Sequence, residues 1–347
     1  MIFGAGASYD SIPTYPPGAF IAEGSTFDAY HRPPLANELF ANRPMFAKAI
    51  QDFSECVPIV PRLRALRNET LEAALQDLQS KAEGYPRGLQ QLAAVRFYLQ
   101  MILWKCGEEW RKVAKGVTNY KALLDQIERM HKKDEPVCLV TFNYDTLLED
   151  ALSHFGLPIE AIADYTNRHP FYRVFKLHGS VNWARTVENR IRSEYPNHAL
   201  FVAHEWIERA AELHITDQYE LCGGAHPTTI SGGRPAFPAI AIPVERKQHF
   251  ECPPKLIEEL VELLPHVTRV LVVGWRATEE HFLQLLRTNL RPGVQLHVVA
   301  GNLKEADEAL ANIAQALIGR APAHASTSDQ GFTDFIVSGK AERFLEQ

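Results

Sequence analysis

The stretch Val137-Cys138-Leu139-Val140-Thr141-Phe142-Asn143-Tyr144-Asp145 decides how this chain is read. Apolar and β-favouring residues run up to Phe142 and stop abruptly at Asn143 and Asp145. A short apolar run closed by polar turn residues suits a strand buried on both faces, as in parallel sheets. Leu147, Leu148, Ala151 and Leu152 continue at helical spacing, and Gly156 is placed to stop that helix. Asn143 and Asp145 therefore belong to the carboxyl end of a strand, where open α/β sheets bind their ligands.

Other stretches repeat the pattern. The chain opens with Ile2-Phe3 and then Gly4-Ala5-Gly6-Ala7-Ser8. Glycines let a backbone approach a phosphate closely and leave N–H groups directed at it. Tyr9 occupies the place of a third glycine, so this loop alone is a weak signal. Val174 to Leu177 runs into His178-Gly179-Ser180, Val270 to Val273 into Gly274-Trp275, and Val294 to Val299 into Gly301-Asn302. In a parallel sheet such ends converge on one crevice. Only Met1 to Phe3 precede the glycine loop, so either the first strand is very short or the natural start lies upstream.

Gly4-Ala5-Gly6-Ala7-Ser8, Thr141-Phe142-Asn143-Tyr144-Asp145, Lys176-Leu177-His178-Gly179-Ser180 and Val272-Val273-Gly274 resemble, in order, the four NAD-contacting motifs of the sirtuin superfamily. Pro243, followed by a helix and the Gly274 strand, resembles the sirtuin-like branch of bacterial antiphage defence proteins. The resemblance implies an α/β fold: a Rossmann-like parallel sheet with helices on both faces, plus a large helical insertion. The expected core is 1–30, 136–182 and 237–320, with the helical insertion at about 35–132, a variable insertion at about 184–236 and a tail at 321–347, all within one sirtuin-like domain.

Two departures narrow the activity. Sirtuins that deacylate proteins usually hold zinc through two Cys-x-x-Cys pairs, whereas Cys56, Cys106, Cys138, Cys222 and Cys252 have no ligand spacing. The family's first loop continues Ile-Pro-Asp-Phe-Arg, but Ile12-Pro13 is followed here by Thr14-Tyr15-Pro16. Both departures argue against lysine deacylation and fit an NAD-hydrolysing branch without zinc. No His-Glu-x-x-His accompanies His204-Glu205, and His204 and His214 need not share a face, so no metal site is expected.

The formal charge of −6 gives no broad basic field, which argues against direct nucleic-acid binding. An odd number of scattered cysteines suggests a reducing compartment. No apolar run approaches the roughly 20 residues of a membrane helix, and no basic segment precedes an apolar one at the start. A cytoplasmic protein is expected.

Residues 9–36, rich in proline and glycine, read as a loop that folds over a ligand or as a surface connection, with His31 and Arg32 available to an anion. From Leu35 to about His131 the pattern is helical, with Asn68 and Asn119 as candidate caps and Trp104 and Trp110 as packing residues. A helix is expected from about Leu200 to His214, with flexible turns at Gly223-Gly224 and Ser231-Gly232-Gly233. Phe237 to Ile242 reads as a buried strand. Pro253-Pro254 open a helix to Leu264, Thr278 caps the next, and Ala306 to Leu317 form another. Residues 321–330 look disordered, and Phe332 to Val337 read as a strand or edge element.

The bond between nicotinamide and ribose has a leaving group that departs neutral, so no acid is needed to protonate it, unlike ordinary glycoside hydrolysis. The site must exclude water from the ribose, stabilise an oxocarbenium-like state and supply a base. By the resemblance, Asn143 orients the ribose or the attacking water and His178 is the base, histidine being suited by its ordinary pKa near 6.5. Gly4, Ala5, Gly6 and Ser8 cradle the phosphates, Asp145 binds the ribose or supports the pocket, Gly274 leaves room for the adenosine side, and Asn302 bonds the adenine ribose. Simple capping by Asp145 and Asn302 and loop roles for Asn143 and His178 remain as competing readings.

The expected function is therefore hydrolysis of NAD+ as substrate to nicotinamide and ADP-ribose, depleting NAD in antiphage (abortive infection) defence. The alternative is a non-catalytic sensor or scaffold subunit that binds NAD or ADP-ribose. Some relatives carry a C-terminal sensing domain, for which the about 45 residues after Asn302 are too few. Control from outside is expected: a HerA-type ATPase, a short Argonaute, or assembly into a homo-oligomer.

Overall fold

A computed structural model describes residues 1–18, 31–65, 70–82, 84–130, 135–167, 171–188, 199–222, 236–243 and 250–346. Nine strands are present among them: β1 (Ile2–Phe3), β2 (Val137–Thr141), β3 (Tyr172–Lys176), β4 (Gly179–Val187), β5 (Ile215–Leu221), β6 (Phe237–Ile240), β7 (Arg269–Val273), β8 (Gln295–Val299) and β9 (His324–Ser328). Six form one sheet in the order β3-β2-β1-β7-β8-β9. Every pairing in it is parallel.

The two-residue β1 suffices because it lies between two strands, with Ile2 and Phe3 both buried. Strand order reverses there: the chain steps outward through β2 and β3, then returns to the other side of β1 as β7. Open α/β sheets place their ligand crevice at such a reversal. The register sharpens this. Phe3 lies opposite both Thr141 and Val273, Thr141 opposite Lys176, Val273 opposite Val299, and Val299 opposite Ser328. All six strands thus end on one transverse row, and the loops beyond it face the same space.

Helices flank the sheet in two groups. Asn119–Met130 packs with Leu147–His154, Gly331–Val337 and Lys340–Glu346, while Pro254–Leu263 packs against β3 and Glu280–Asn289 against Leu303–Ala316. The main core holds the sheet together with Leu256, Phe282, Ile313, Phe335 and similar residues from these helices. The result is an α/β fold with a Rossmann-like parallel sheet.

A second core lies apart from the first. Pro44–Asp52, Val60–Arg64, Leu71–Ala82 and the long Pro86–Ala114 helix gather around Phe46, Phe53, Tyr98 and Leu99. Val181 of β4, Phe237 and Ile240 of β6, and Trp206 of the Ala199–Glu208 helix join the same core. The strand expected at Phe237 to Ile242 therefore spans Phe237–Ile240 and pairs antiparallel with β4 in a separate three-stranded sheet, β5-β4-β6.

Several local expectations need correction. The stretch read as disordered contains β9, which pairs in parallel along β8 as the edge strand. Residues 332–337, expected as a strand, lie in the helix Gly331–Val337. The expected Leu200–His214 helix ends at Glu208 and yields to β5. Glu279 rather than Thr278 precedes the first turn of Glu280–Asn289. Thr118 caps the helix at 119, its hydroxyl accepting from the Lys121 N–H at 3.2 Å, while Asn119 serves elsewhere. Asn68 and the glycine turns at 223–224 and 231–233 lie outside the described residues.

Candidate functional site

The strand-end loops line one cleft of about 1190 Å3, above the roughly 300–1,000 Å3 of ordinary small-ligand pockets. Gly4, Ala5, Gly6, Ser8, Asn143, Asp145, His178, Gly274 and Asn302 all border it. One wall comes from the second core, through Leu39, Leu63, Leu71 and Leu103, and another part from Gln330 to Phe332. Neither contribution was visible as a site feature in the sequence.

The stretch read as the first loop is a turn at Gly4 followed by the short helix Ala5–Tyr9, and it and the β7 loop are built on each other. Gly4 N–H donates to Val273 O and Gly6 N–H to Gly274 O, both at 3.0 Å. A Cβ on Gly4 would lie 2.5 Å from Gly274 O, and one on Gly274 would lie 2.3 Å from Ala7 N. Gly274 also has φ +60°, which favours glycine. Its hydrogen is thus explained by contact with the first loop, beyond any space it leaves for a ligand. The Gly4 and Gly6 N–H groups are engaged with the β7 loop, while both residues border the cleft.

Asn143 is held on three sides. Its backbone N–H donates to Thr141 Oγ1 at 3.1 Å, and its Nδ2 donates to Ser8 Oγ at 2.9 Å and to Tyr120 OH at 3.0 Å. Ser8 Oγ and Tyr120 OH are themselves 3.0 Å apart. Tyr120 was missed at the sequence level, since it sits in a helix with no strand-end signal. Asp145 Oδ1 accepts from the Leu147 N–H at 3.1 Å, so the capping role is present while the residue also borders the cleft. Burial pushes the Asp145 carboxyl above its ordinary range, against the Lys176 ammonium, the Ser8 hydroxyl and the Leu147 N–H, which favour the carboxylate.

His178 is buried, its ring 4.8 Å from that of Phe142. Its carbonyl accepts from the Ala241 N–H at 2.9 Å, and Leu177 N–H donates to Thr141 O at 3.1 Å, which pins the turn between β3 and β4. Gly179 has φ +76°, and a Cβ there would meet Ala239 O at 2.0 Å. Beneath this turn lies Lys176, wholly buried. Its ammonium donates to Asp145 O and pairs with Glu149 Oε1 at 2.7 Å. Tyr165 OH donates to the same carboxylate oxygen at 3.0 Å and accepts from Trp183 Nε1 at 2.9 Å. This buried chain joins the Asn143 turn to the His178 turn.

At the rim, Trp275 stacks on Phe142 with ring centroids 5.2 Å apart. Arg276 pairs with Glu72 at 2.7 Å, bridging the β7 loop to the helical segment. Asn302 caps the helix Leu303–Ala316, its Oδ1 accepting from the Glu305 N–H at 3.0 Å. The 9–36 segment borders the cleft at Pro16, Pro17 and Pro33 to Leu35, and its residues 19–30 lie outside the described ones. Arg32, considered for an anion, instead donates to Tyr9 O at 2.5 Å and Tyr15 O at 2.7 Å and lies over the Trp110 ring.

Among the described residues no group of three His, Cys, Asp or Glu could hold a metal ion. All five cysteines are free thiols, and burial pushes each pKa up, to about 11 for Cys138 and about 12 for Cys106 and Cys222. No described helix is long and apolar enough to cross a membrane.

A family model described as a SIR2-like domain matches residues 137–223, the segment from β2 past the end of β5. No curated protein matches the chain. Among solved structures, a Sir2 in complex with an inhibitor, 2'-O-acetyl-ADP-ribose and a deacetylated peptide is 14% identical, with 69% of this chain and 80% of that chain covered and a TM-score of 0.32. A second, from work on the mechanism and regulation of Sir2 enzymes, is 12% identical over 100% of this chain and 92% of that chain, with a TM-score of 0.39.

Proposed function

We propose that this chain hydrolyses NAD+ at the bond between nicotinamide and ribose, giving nicotinamide and ADP-ribose. The observation that carries the reading is the convergence of Asn143 and His178 on the cleft beside Gly4 and the short helix Ala5–Tyr9, at the point where strand order reverses. The SIR2-like match over 137–223, which contains Asn143, Asp145 and His178, supports an NAD-using activity. Water adds to the anomeric carbon as the pyridinium leaves with the bonding electron pair. Nicotinamide is then neutral and one proton is released to a base.

In this reading His178 takes that proton and Asn143 orients the water or a ribose hydroxyl. Asp145 supports the ribose pocket, and Ala5 and Ser8 approach the phosphates from the end of β1. The buried aromatic surroundings of His178, with Phe142 against its ring, suit a water-poor pocket in which such charge stabilisation is strong. Depletion of NAD in antiphage defence, with control by a HerA-type ATPase, a short Argonaute or self-assembly, is the setting this activity suits.

The test is nicotinamide release by the purified chain, alone and with the products of neighbouring genes, beside Asn143→Ala and His178→Ala. Loss of a positioned base costs about 10²–10⁴-fold, and each substitution is expected to reduce release by that order. Release that survives both would place the chemistry elsewhere. NAD binding without release in any combination would favour a sensor subunit.

A further inference from the structure

Asn143 is fixed by a residue that no strand-end motif contains. Tyr120 lies in the first turn of Asn119–Met130 and is buried, and it is not among the residues bordering the cleft. Its ring packs edge-on against Phe3 at 5.3 Å and Phe332 at 5.6 Å. Its hydroxyl is the only polar atom of the side chain, and it sits 3.0 Å from both Asn143 Nδ2 and Ser8 Oγ. Three polar groups from three separate elements thus close a triangle in a dry environment, where an unpaired member would be costly.

The chemistry of the triangle sets its direction. The Ser8 and Tyr120 oxygens lie 3.0 Å apart, so one of the two hydroxyls donates to the other. One hydroxyl proton is thus committed between the two oxygens, whichever of them donates. Both oxygens then act as acceptors toward Asn143, whose two Nδ2 protons go one to each. The amide nitrogen is committed inward. Among the described residues no donor reaches the Asn143 carboxamide oxygen, and Asn143 borders the cleft.

We propose that Tyr120 is a positioning residue that, through Ser8 and Asn143, presents the Asn143 carboxamide oxygen to the cleft as a hydrogen-bond acceptor for a water or a ribose hydroxyl. This rests on the hydrolase reading for its catalytic consequence, but not for its geometry. The opposite orientation would turn the amide oxygen toward two hydroxyls, one of which has already given its proton to the other. It would also offer the cleft a donor, which cannot hold the lone pairs of an attacking water free. Ser8, expected to meet a phosphate, is on this account chiefly part of the orienting triangle.

The experiment uses the full chain with Tyr120→Phe, which keeps the ring contacts, and asparagine-selective 15N labelling. The Asn143 side-chain amide is assigned by its disappearance in Asn143→Asp. In the wild type both amide protons are expected to exchange slowly with solvent, and in Tyr120→Phe one of them is expected to lose that protection. Equal exchange in the two proteins would overturn the proposal, whether or not either releases nicotinamide. In the release assay kcat is expected to fall about tenfold, the worth of one hydrogen bond of about 1.4 kcal/mol, with KM for NAD+ unchanged. An unchanged kcat, or a loss confined to KM, would likewise overturn it. If the wild type shows the protected amide but no release with any partner, the hydrolase reading fails and the positioning geometry stands.

Discussion

Lys176 is the residue at which the site is most exposed to a single change. Its ammonium is wholly buried, pairs with Glu149 and holds the Asp145 carbonyl. Lys176→Met would leave the Glu149 carboxylate, itself buried, with only the Tyr165 hydroxyl as donor among the described residues. Breaking a buried pair from one side costs about 3–5 kcal/mol. Urea titration is expected to show a loss of that size for Lys176→Met, and a clear recovery in Lys176→Met/Glu149→Gln. A loss below about 1 kcal/mol, as for an exposed pair, would contradict the buried network. At this scale Asn143 and His178 were legible because polar residues closing an apolar run are rare outside turns. Lys176 stood in a quoted motif without a role, and Tyr120 had no sign at all, because hydrogen bonds between residues 112 and 23 positions apart leave no local pattern.

The apolar strands of the sheet were legible, the polar edge strand was not, and the apolar stretch at 332–337 was read as a strand but forms a helix. β2, β7 and β8 carry continuous apolar stretches, whereas β9 is His324-Ala325-Ser326-Thr327-Ser328, an edge strand with no apolar signal beyond one alanine. It is anchored instead by His297 of β8, whose Nδ1 lies 2.7 Å from Ser326 Oγ and whose Nε2 lies 3.0 Å from Ser328 Oγ. The His297 ring stacks on Phe335, 5.2 Å away, of the helix that follows β9. Burial, then the neighbouring Lys340 and His324, lowers its pKa to about 4. A base with a depressed folded pKa binds fewer protons folded than unfolded between that value and about 6.5. Stability should therefore fall as pH drops from 6.5 toward 4, and His297→Gln should flatten that part of the profile. Equal acid sensitivity in the two proteins, measured by thermal melting across this range, would show that β9 is held by other contacts.

The whole molecule is two cores meeting at one cleft. The parallel sheet supplies the strand ends, and the second core, built from residues far apart in sequence, supplies the facing wall. Five of the six strands of the sheet, all but β9, could be anticipated because each repeats the same local pattern. The second core could not, since it unites the helical segment at 44–114 with β4, β6 and the Ala199–Glu208 helix across a wide gap in the chain. Arg276 and Glu72 tie the two halves across the rim of the cleft. In the proposed hydrolysis, Asn143 and His178 act from the sheet side of the cleft, and the helical wall faces them.

Proton NMR of NAD+ incubated with the wild-type chain and its neighbouring gene products follows that reaction most directly. The account predicts that NAD+ disappears while nicotinamide and ADP-ribose appear in equal amounts, with no third product carrying the ribose. NAD+ that remains intact while saturating the cleft in every combination would contradict it.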